Sequence, residues 1–105
     1  MAQFSVYNNL NPATREFYPL LLNVQSTLLD GLETRLVIPL SLKSNFHNNP
    51  IKELNPIFEF NKAEYLVLTQ QLAAIHAKNL GPQVADASGS RQAILSAIDL
   101  LITGF

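Results

Sequence analysis

The side chains that most often carry out catalysis are few in this sequence and form no recognised pattern. The chain has no cysteine, which excludes thiolate nucleophiles, disulfides and cysteine-ligated metals. Its histidines, His47 and His76, lie in or near predicted loops and outside any known catalytic motif. Asp30 and Glu33 fall in a predicted turn, and there is no HExxH motif, acidic cluster or glycine-rich phosphate loop. We therefore predict no metal, no cofactor and no catalytic residues.

Arg35 is the most unusual charge, because it lies inside the hydrophobic stretch TRLVIPL at residues 34–40. A guanidinium group that points into a core needs a partner, whereas one that points to solvent needs none. We predict that Arg35 points to solvent.

Leu28 and Leu29 are adjacent leucines in a predicted loop at residues 25–31. Neighbouring loop residues do not both reach one core as easily as alternate residues of a strand do. We therefore expect at least one of them to be exposed, and exposed apolar groups at loop tips often contact partners. The alternative is a loop that folds back and buries both leucines.

Composition limits the classes to which the protein can belong. A length of 105 residues predicts one domain spanning the chain, 1–105. With 48% hydrophobic and 14% charged residues, the chain is too apolar for disorder, and an oligomer interface is plausible. The net charge of −1 gives no electrostatic basis for direct nucleic-acid binding. No signal peptide is recognisable, and the apolar runs are shorter than the ~20 residues that span a bilayer, so we predict a cytoplasmic protein.

Most of the chain reads as short strands separated by turns. Alternating or β-branched runs predict strands over residues 3–7, 17–24, 34–40, 56–60, 64–70 and 72–75, with the third ending near Pro39. Asn61-Lys62-Ala63 is a hairpin signal, and residues 76–87 read as irregular because Gly81-Pro82 interrupts them. The pattern predicts a mainly β fold: a small, strongly bent antiparallel sheet or partly open barrel closed by one helix.

That helix is predicted over residues 88–105, with an apolar stripe at about 100° per residue. Ser88 or Ser90 is a candidate N-cap, and Gly104 lies where helices often end in a left-handed residue. Thr103 falls about 180° from the start of the stripe and should face solvent. The stripe that we expect to lie over the core comprises Ile94, Ile98, Leu101, Ile102 and Phe105.

Several stretches together resemble the CcdB toxins of plasmid and chromosomal toxin–antitoxin modules. They cover nearly the whole chain in the same order and spacing, and residues 41–50 match least. The matching stretches are QFSVY (3–7), VQS (24–26), LLD (28–30), RLVIPL (35–40), LNP (54–56), VADAS (84–88), AIDLL (97–101) and GF (104–105).

The resemblance implies a CcdB–Kid-type, SH3-like barrel and a homodimer that is not an enzyme. It implies a toxin that binds the A subunit of DNA gyrase and traps the gyrase–DNA cleavage complex. A CcdA-type antitoxin would neutralise the toxin, and the pair would repress their own operon, with the antitoxin making the operator DNA contacts. By position, the gyrase-binding residues implied are Leu28, Leu29, Thr103, Gly104 and Phe105.

The chain departs from the family pattern at Thr103, where the best-known plasmid member carries a tryptophan. A threonine cannot stack on a partner as an aromatic ring does. Two alternatives to the gyrase poison stay open. One is an endoribonuclease of the Kid and MazF kind, which would need acid–base residues such as Arg35, Arg91 or His47 with Asp30. The other is a degenerate, non-toxic CcdB homologue.

Overall fold

A computed structural model describes residues 2–104 and shows a β-rich chain that ends in a helix. Met1 and Phe105 lie outside the described residues. The elements are β1 (Ser5–Asn9), β2 (Leu20–Asn23), β3 (Thr34–Leu42), β4 (Ile57–Phe60), β5 (Ala63–Val67), β6 (Ala73–His76), β7 (Leu80–Asp86) and α1 (Arg91–Thr103). Short 3₁₀ turns fill several of the connections. Within the described residues, no helix is long and apolar enough to cross a membrane.

The seven strands of the described chain form one antiparallel sheet in the order β4-β5-β3-β2-β1-β7, with β6 paired to β3. β3 is the longest strand and carries two partners along one edge. Its first half pairs with β6 and its last three residues pair with β5, while β2 runs along its other edge. Because one edge of β3 serves two strands, the sheet curls into a half-barrel. The predicted mainly β fold with one closing helix is confirmed.

Both faces of the curled sheet are apolar, because alternate residues of each strand point to opposite sides. The larger cluster faces α1, which contributes Ile94 and Ala97 as its buried residues. Tyr7, Leu21, Val37 and Leu80 form a smaller cluster with the half-buried Ile75. The strand residues of the larger cluster are Val6, Leu20, Leu22, Ile38, Leu40 and Val67.

The prediction that the third strand ends near Pro39 is wrong, since β3 continues to Leu42. The carbonyl of Pro39 accepts a hydrogen bond from the backbone N of Leu68 at 3.0 Å. In an antiparallel strand, the N–H and C=O of one residue point to the same edge. The N–H that proline lacks therefore falls in the gap between β6 and β5, where no ladder bond to β2 depends on it.

The prediction that residues 76–87 are irregular is also wrong, because most of them form β7 at the edge of the sheet. The register pairs Asn9 with Leu80 and Tyr7 with Gln83, and it shifts between these pairs. Gly81 lies in this irregularity, where an added Cβ would stand 2.9 Å from the Leu10 side chain and 3.1 Å from the Asn8 carbonyl oxygen. A proline is tolerated at an edge or a bulge, so Pro82 does not break the strand.

α1 has the predicted position and the predicted C-terminal end, but its N-terminus is not capped as predicted. Ser90 precedes the first helical residue, yet no side-chain hydrogen bond caps the helix. A turn at Ser88–Ser90 leads into it instead, and the carboxylate of Asp86 accepts the backbone N–H of Ser88 at 2.8 Å. Gly104 has φ 80° and donates its N–H to the carbonyl of Leu100, so the predicted left-handed end is confirmed.

The apolar stripe of the helix covers the core only along its first two turns. Ile94 is buried and Ile98 packs against the core, but Leu101 is 39% exposed and Ile102 is 70% exposed. Leu101 and Ile102 therefore do not lie over the core as predicted, because the last turn extends past the hydrophobic cluster beneath it. The predicted role of Phe105 in the stripe lies outside the described residues.

Candidate protein-contact site

The segment between β2 and β3, residues 26–33, presents its leucines to solvent; we name it the Leu28 loop. Leu28 is 91% exposed and Leu29 is 50% exposed, which confirms the predicted exposure. A 3₁₀ turn over Thr27–Leu29 places them, and Ser26 begins it by accepting the backbone N–H of Leu28 at its hydroxyl. A small polar residue at such a position commonly replaces a missing backbone bond. The loop therefore projects an apolar tip on a defined turn.

Arg35 contradicts the prediction of an outward side chain, since it is only 7% exposed. Its Nη1 donates to the carbonyl oxygens of Leu32 and Thr34, and its Nη2 donates to that of Asp30 at 2.8 Å. The guanidinium thus turns back against the loop that precedes its own strand. Sequence pattern missed this arrangement because the acceptors are backbone carbonyls, which residue types do not reveal.

Gln25 is a second buried side chain under the same loop, and the sequence analysis did not single it out. Its Nε2 donates to the carbonyls of Leu29 at 3.1 Å and Thr34 at 3.2 Å. Its Oε1 accepts the backbone N–H of Leu36 at 3.0 Å. One amide therefore connects the end of β2, the Leu28 loop and β3. The sequence signals at this position were the VQS stretch of the family resemblance and a polar residue directly after a hydrophobic strand.

The other predicted contact residues lie at the end of α1. Thr103 is exposed, as predicted, and its hydroxyl donates to the carbonyl of Asp99 at 2.6 Å. Gly104 is also exposed, and the space around it is open. Phe105 lies outside the described residues. The Leu28 loop and the helix end belong to different elements, and no hydrogen bond among the described residues joins them.

Of the residues considered for acid–base chemistry, Arg35 and Asp30 are neighbours through the backbone carbonyl of Asp30, and the others lie in different settings. His47 is exposed after the turn that follows β3, and Nδ1 of His76 accepts the backbone N–H of Lys78. The guanidinium of Arg91 lies 5.9 Å from the centre of the Phe4 ring. The described residues contain no group of three or more His, Asp or Glu side chains that is placed to hold a metal ion.

A cavity of about 240 Å³ lies on the sheet face opposite α1. Its floor is apolar and its rim carries amide and hydroxyl groups, but none of its lining residues is charged at neutral pH. It therefore offers no acid–base pair. Its lining consists of Asn9, Asn11, Thr14, Tyr18, Leu21, Val37, Pro39, Gln71, Ala73, Ile75 and Asn79.

Comparison with known protein families identifies the family to which this chain belongs. The family model described as CcdB protein matches residues 3–104 of the chain. The chain belongs to the CcdB family. Membership supports a toxin of a toxin–antitoxin module, and it supports a partner of the antitoxin kind.

The structure explains locally why the CcdB-like stretches have these residue types. In VQS, Val24 is a core residue, Gln25 binds the loop from beneath, and Ser26 begins the turn. In LNP, Asn55 is buried and donates to the carbonyl of Val67, which ties residues 51–56 to β5. The polar side chains of Gln25, Ser26 and Asn55 form hydrogen bonds within the chain. These stretches therefore shape the surface, although not all of their residues lie on it.

Proposed function

We propose that this CcdB family toxin binds the A subunit of DNA gyrase and traps the gyrase–DNA cleavage complex. The contact residues proposed are Leu28, Leu29, Thr103, Gly104 and Phe105. The observation that carries the proposal is the 91% exposure of Leu28 in a chain that matches the CcdB family over residues 3–104. Burying a leucine that is held almost entirely in water on a formed turn would favour binding of a partner at this tip.

With threonine at position 103, the end of α1 contributes less to the proposed gyrase contact than it would with an aromatic residue. The Thr103 hydroxyl is already bonded to the carbonyl of Asp99, so it has little free capacity to donate to a partner. We infer that Thr103 and Gly104 contribute shape, and that the apolar contact falls to Phe105 and the Leu28 loop. Because apolar contact residues remain in this assignment, we favour a toxin with an altered gyrase contact over a degenerate homologue.

The endoribonuclease alternative receives less support from the same residues. One of its candidate residues, Arg35, would have to lie in an open groove, whereas this guanidinium is 7% exposed and donates to three backbone carbonyls. The uncharged cavity on the other face offers no acid–base pair. We therefore propose a non-enzymatic inhibitor.

The deciding experiment incubates the purified protein with gyrase and supercoiled DNA, followed by detergent and protease, and separately with RNA. We expect linear, gyrase-cleaved DNA to accumulate with the protein and not with the Leu28→Asp variant, while the RNA stays intact. Cleaved RNA with unchanged DNA would replace the proposal with the nuclease. If neither cleaved DNA nor cleaved RNA appears, the degenerate homologue is the alternative that remains.

The remaining assignments follow from the same proposal. The toxin acts in the bacterial cytoplasm, as one domain over residues 1–105, in a homodimer. A CcdA-type antitoxin neutralises it, and the two repress their operon. With a net charge of −1, the toxin lacks the basic surface that binds DNA, so the antitoxin makes the operator contacts.

Antitoxin binding should raise the melting temperature of the toxin. A ligand that binds only the folded state stabilises it by about 2.7 kcal/mol at 100 times its dissociation constant. A thermal melt with increasing amounts of a CcdA-type peptide measures this rise, with a scrambled peptide as the control. An unchanged melt at saturating peptide would argue against the antitoxin assignment.

A further inference from the structure

Two buried side chains, Gln25 and Arg35, hold the Leu28 loop from beneath. We propose that they are positioning residues, which fix this loop so that Leu28 is already in its binding conformation before gyrase arrives. The inference deepens the proposed function and rests on it. It gives a role to Arg35, the buried charge within the hydrophobic stretch at residues 34–40.

The hydrogen bonds of Arg35 reach along the second half of the loop and onto the first residue of β3. Asp30, Leu32 and Thr34 each supply a carbonyl oxygen to the guanidinium. A guanidinium has five N–H donors in a rigid plane, so it binds several acceptors in one fixed arrangement. The carbonyls of Asp30 and Leu32 are thereby held inward, while the leucine side chains of the loop lie exposed.

Gln25 fixes the first half of the loop in the same way. Its amide bonds the carbonyl of Leu29 on one side and the backbone of β3 on the other. The backbone of Gln25 is itself held in place, because the residue is buried and its backbone N–H donates to the side chain of Asn23. The residue directly before this carbonyl is Leu28, the most exposed large hydrophobic residue of the described chain.

The backbone bonds that hold the tip of the loop are short-range turns, and at the end of the loop the carbonyl of Glu33 also accepts the backbone N–H of Ala77 at 2.8 Å. The backbone N–H groups of Leu29, Asp30 and Leu32 donate to carbonyls three residues earlier. Residues this close to solvent have few contacts that oppose local opening. Without the bonds from Gln25 and Arg35, the loop would be competent to bind only for part of the time. The apparent dissociation constant rises as that fraction falls.

The test measures binding of the purified gyrase A subunit by the toxin carrying Arg35→Lys, Leu28→Ala or both changes. Lysine keeps the charge but loses the planar set of donors. We expect Arg35→Lys to weaken binding about tenfold, corresponding to a competent fraction of about one tenth. In the Leu28→Ala variant, Arg35→Lys should weaken binding by a clearly smaller factor, because the side chain that Arg35 positions is absent. If the two changes acted independently, the double variant would show the product of their separate fold-changes in the dissociation constant.

A second readout does not depend on gyrase. Amide hydrogen exchange at Leu29, Asp30 and Leu32 should speed up in Arg35→Lys, while exchange in the core strand β3 beyond Val37 stays slow. Gln25→Met should show the same local pattern, and it serves if the arginine variant folds poorly. The matched control is Asn9→Ala, since Asn9 is a buried amide that holds a different loop through Thr14 and Tyr18. That variant should leave exchange in the Leu28 loop and gyrase binding unchanged.

Each failure has a different pattern. If Leu28→Ala leaves gyrase binding unchanged, the proposed contact is wrong, and positioning toward gyrase falls with it. If Leu28→Ala weakens binding but Arg35→Lys costs the same with or without Leu28, only the positioning proposal is overturned. Unchanged exchange in both variants also overturns it, because the loop then holds its shape without these bonds.

Discussion

At the scale of single residues, Leu28 is the side chain on which the proposed contact depends most. Leu28→Asp should weaken gyrase binding by about 2 kcal/mol or more, the usual cost of removing an apolar anchor from a protein interface. The melting temperature should hardly change, because Leu28 is 91% exposed and leaves no cavity. Titration of the gyrase A subunit and a thermal melt give the two values.

The control for this change is Leu10→Asp, an equally polar substitution at another exposed leucine before β2. It should leave gyrase binding unaltered. A large fall in the melting temperature of Leu28→Asp would mean that the leucine supports the core, and the contact assignment would fail at that position.

The helix end allows a second prediction at this scale. Deletion of Gly104 and Phe105 should abolish gyrase poisoning with a small change in the melting temperature, because the turn before them is exposed. A phenylalanine removed from a core would instead cost about 3–5 kcal/mol, which lowers the melting temperature by more than about 10 °C in a domain of this size. Gyrase cleavage and a thermal melt on the same sample distinguish the two. Full poisoning by a truncated protein whose melting temperature is unchanged would exclude both roles.

At the scale of elements, the β4–β5 hairpin turns through two residues with positive φ. Asn61 has φ 51° and Lys62 has φ 65°. Tight hairpin turns favour this conformation, and asparagine followed by glycine is the preferred pair. Lys62→Gly should therefore stabilise the protein by about 0.5 kcal/mol, since relief of the left-handed strain exceeds the added flexibility of the unfolded chain. Urea denaturation measures the change.

A matched substitution tests the reason given. Lys52 is an exposed lysine without positive φ. Lys52→Gly should not stabilise the protein, because only the flexibility term remains there. If Lys62→Gly destabilises as much as Lys52→Gly does, the turn carries no strain that glycine relieves.

At the scale of the whole molecule, the apolar surface left open by the fold predicts a homodimer. Leu101 and Ile102 continue the helix stripe past the core, and twofold pairs are the commonest closed assemblies. Light scattering at micromolar concentration should give twice the monomer mass of 11.6 kDa. Ile102→Glu should shift the protein toward monomer, because a charge at a dry interface is costly. Gln92→Glu, on the exposed side of the same helix, should not.

Only the monomer mass for the unsubstituted protein would contradict the dimer. A dimer that tolerates Ile102→Glu would place the interface elsewhere on the surface. In both cases the gyrase assignment is tested separately by Leu28, which lies on a different element.

Short-range chemistry in the sequence determined several features of this protein. The hairpin at Asn61 and Lys62 and the left-handed Gly104 follow from a few neighbouring residues, and so do the positions of the helix and of most strands. The exposure of at least one of Leu28 and Leu29 was predictable, because adjacent leucines in a loop do not both reach one core easily. The family motifs at residues 24–40 are local as well, and residues 3–104 match the CcdB family.

The tertiary structure alone decided what depends on distant partners. β3 continues past Pro39 because the missing N–H falls in the gap between β6 and β5, and no local pattern shows that gap. β7 is a strand because β1 offers it an edge despite Gly81-Pro82. Arg35 turns inward because backbone carbonyls of its own loop replace water around the guanidinium. Leu101 and Ile102 stay exposed because the core beneath the helix ends before they do.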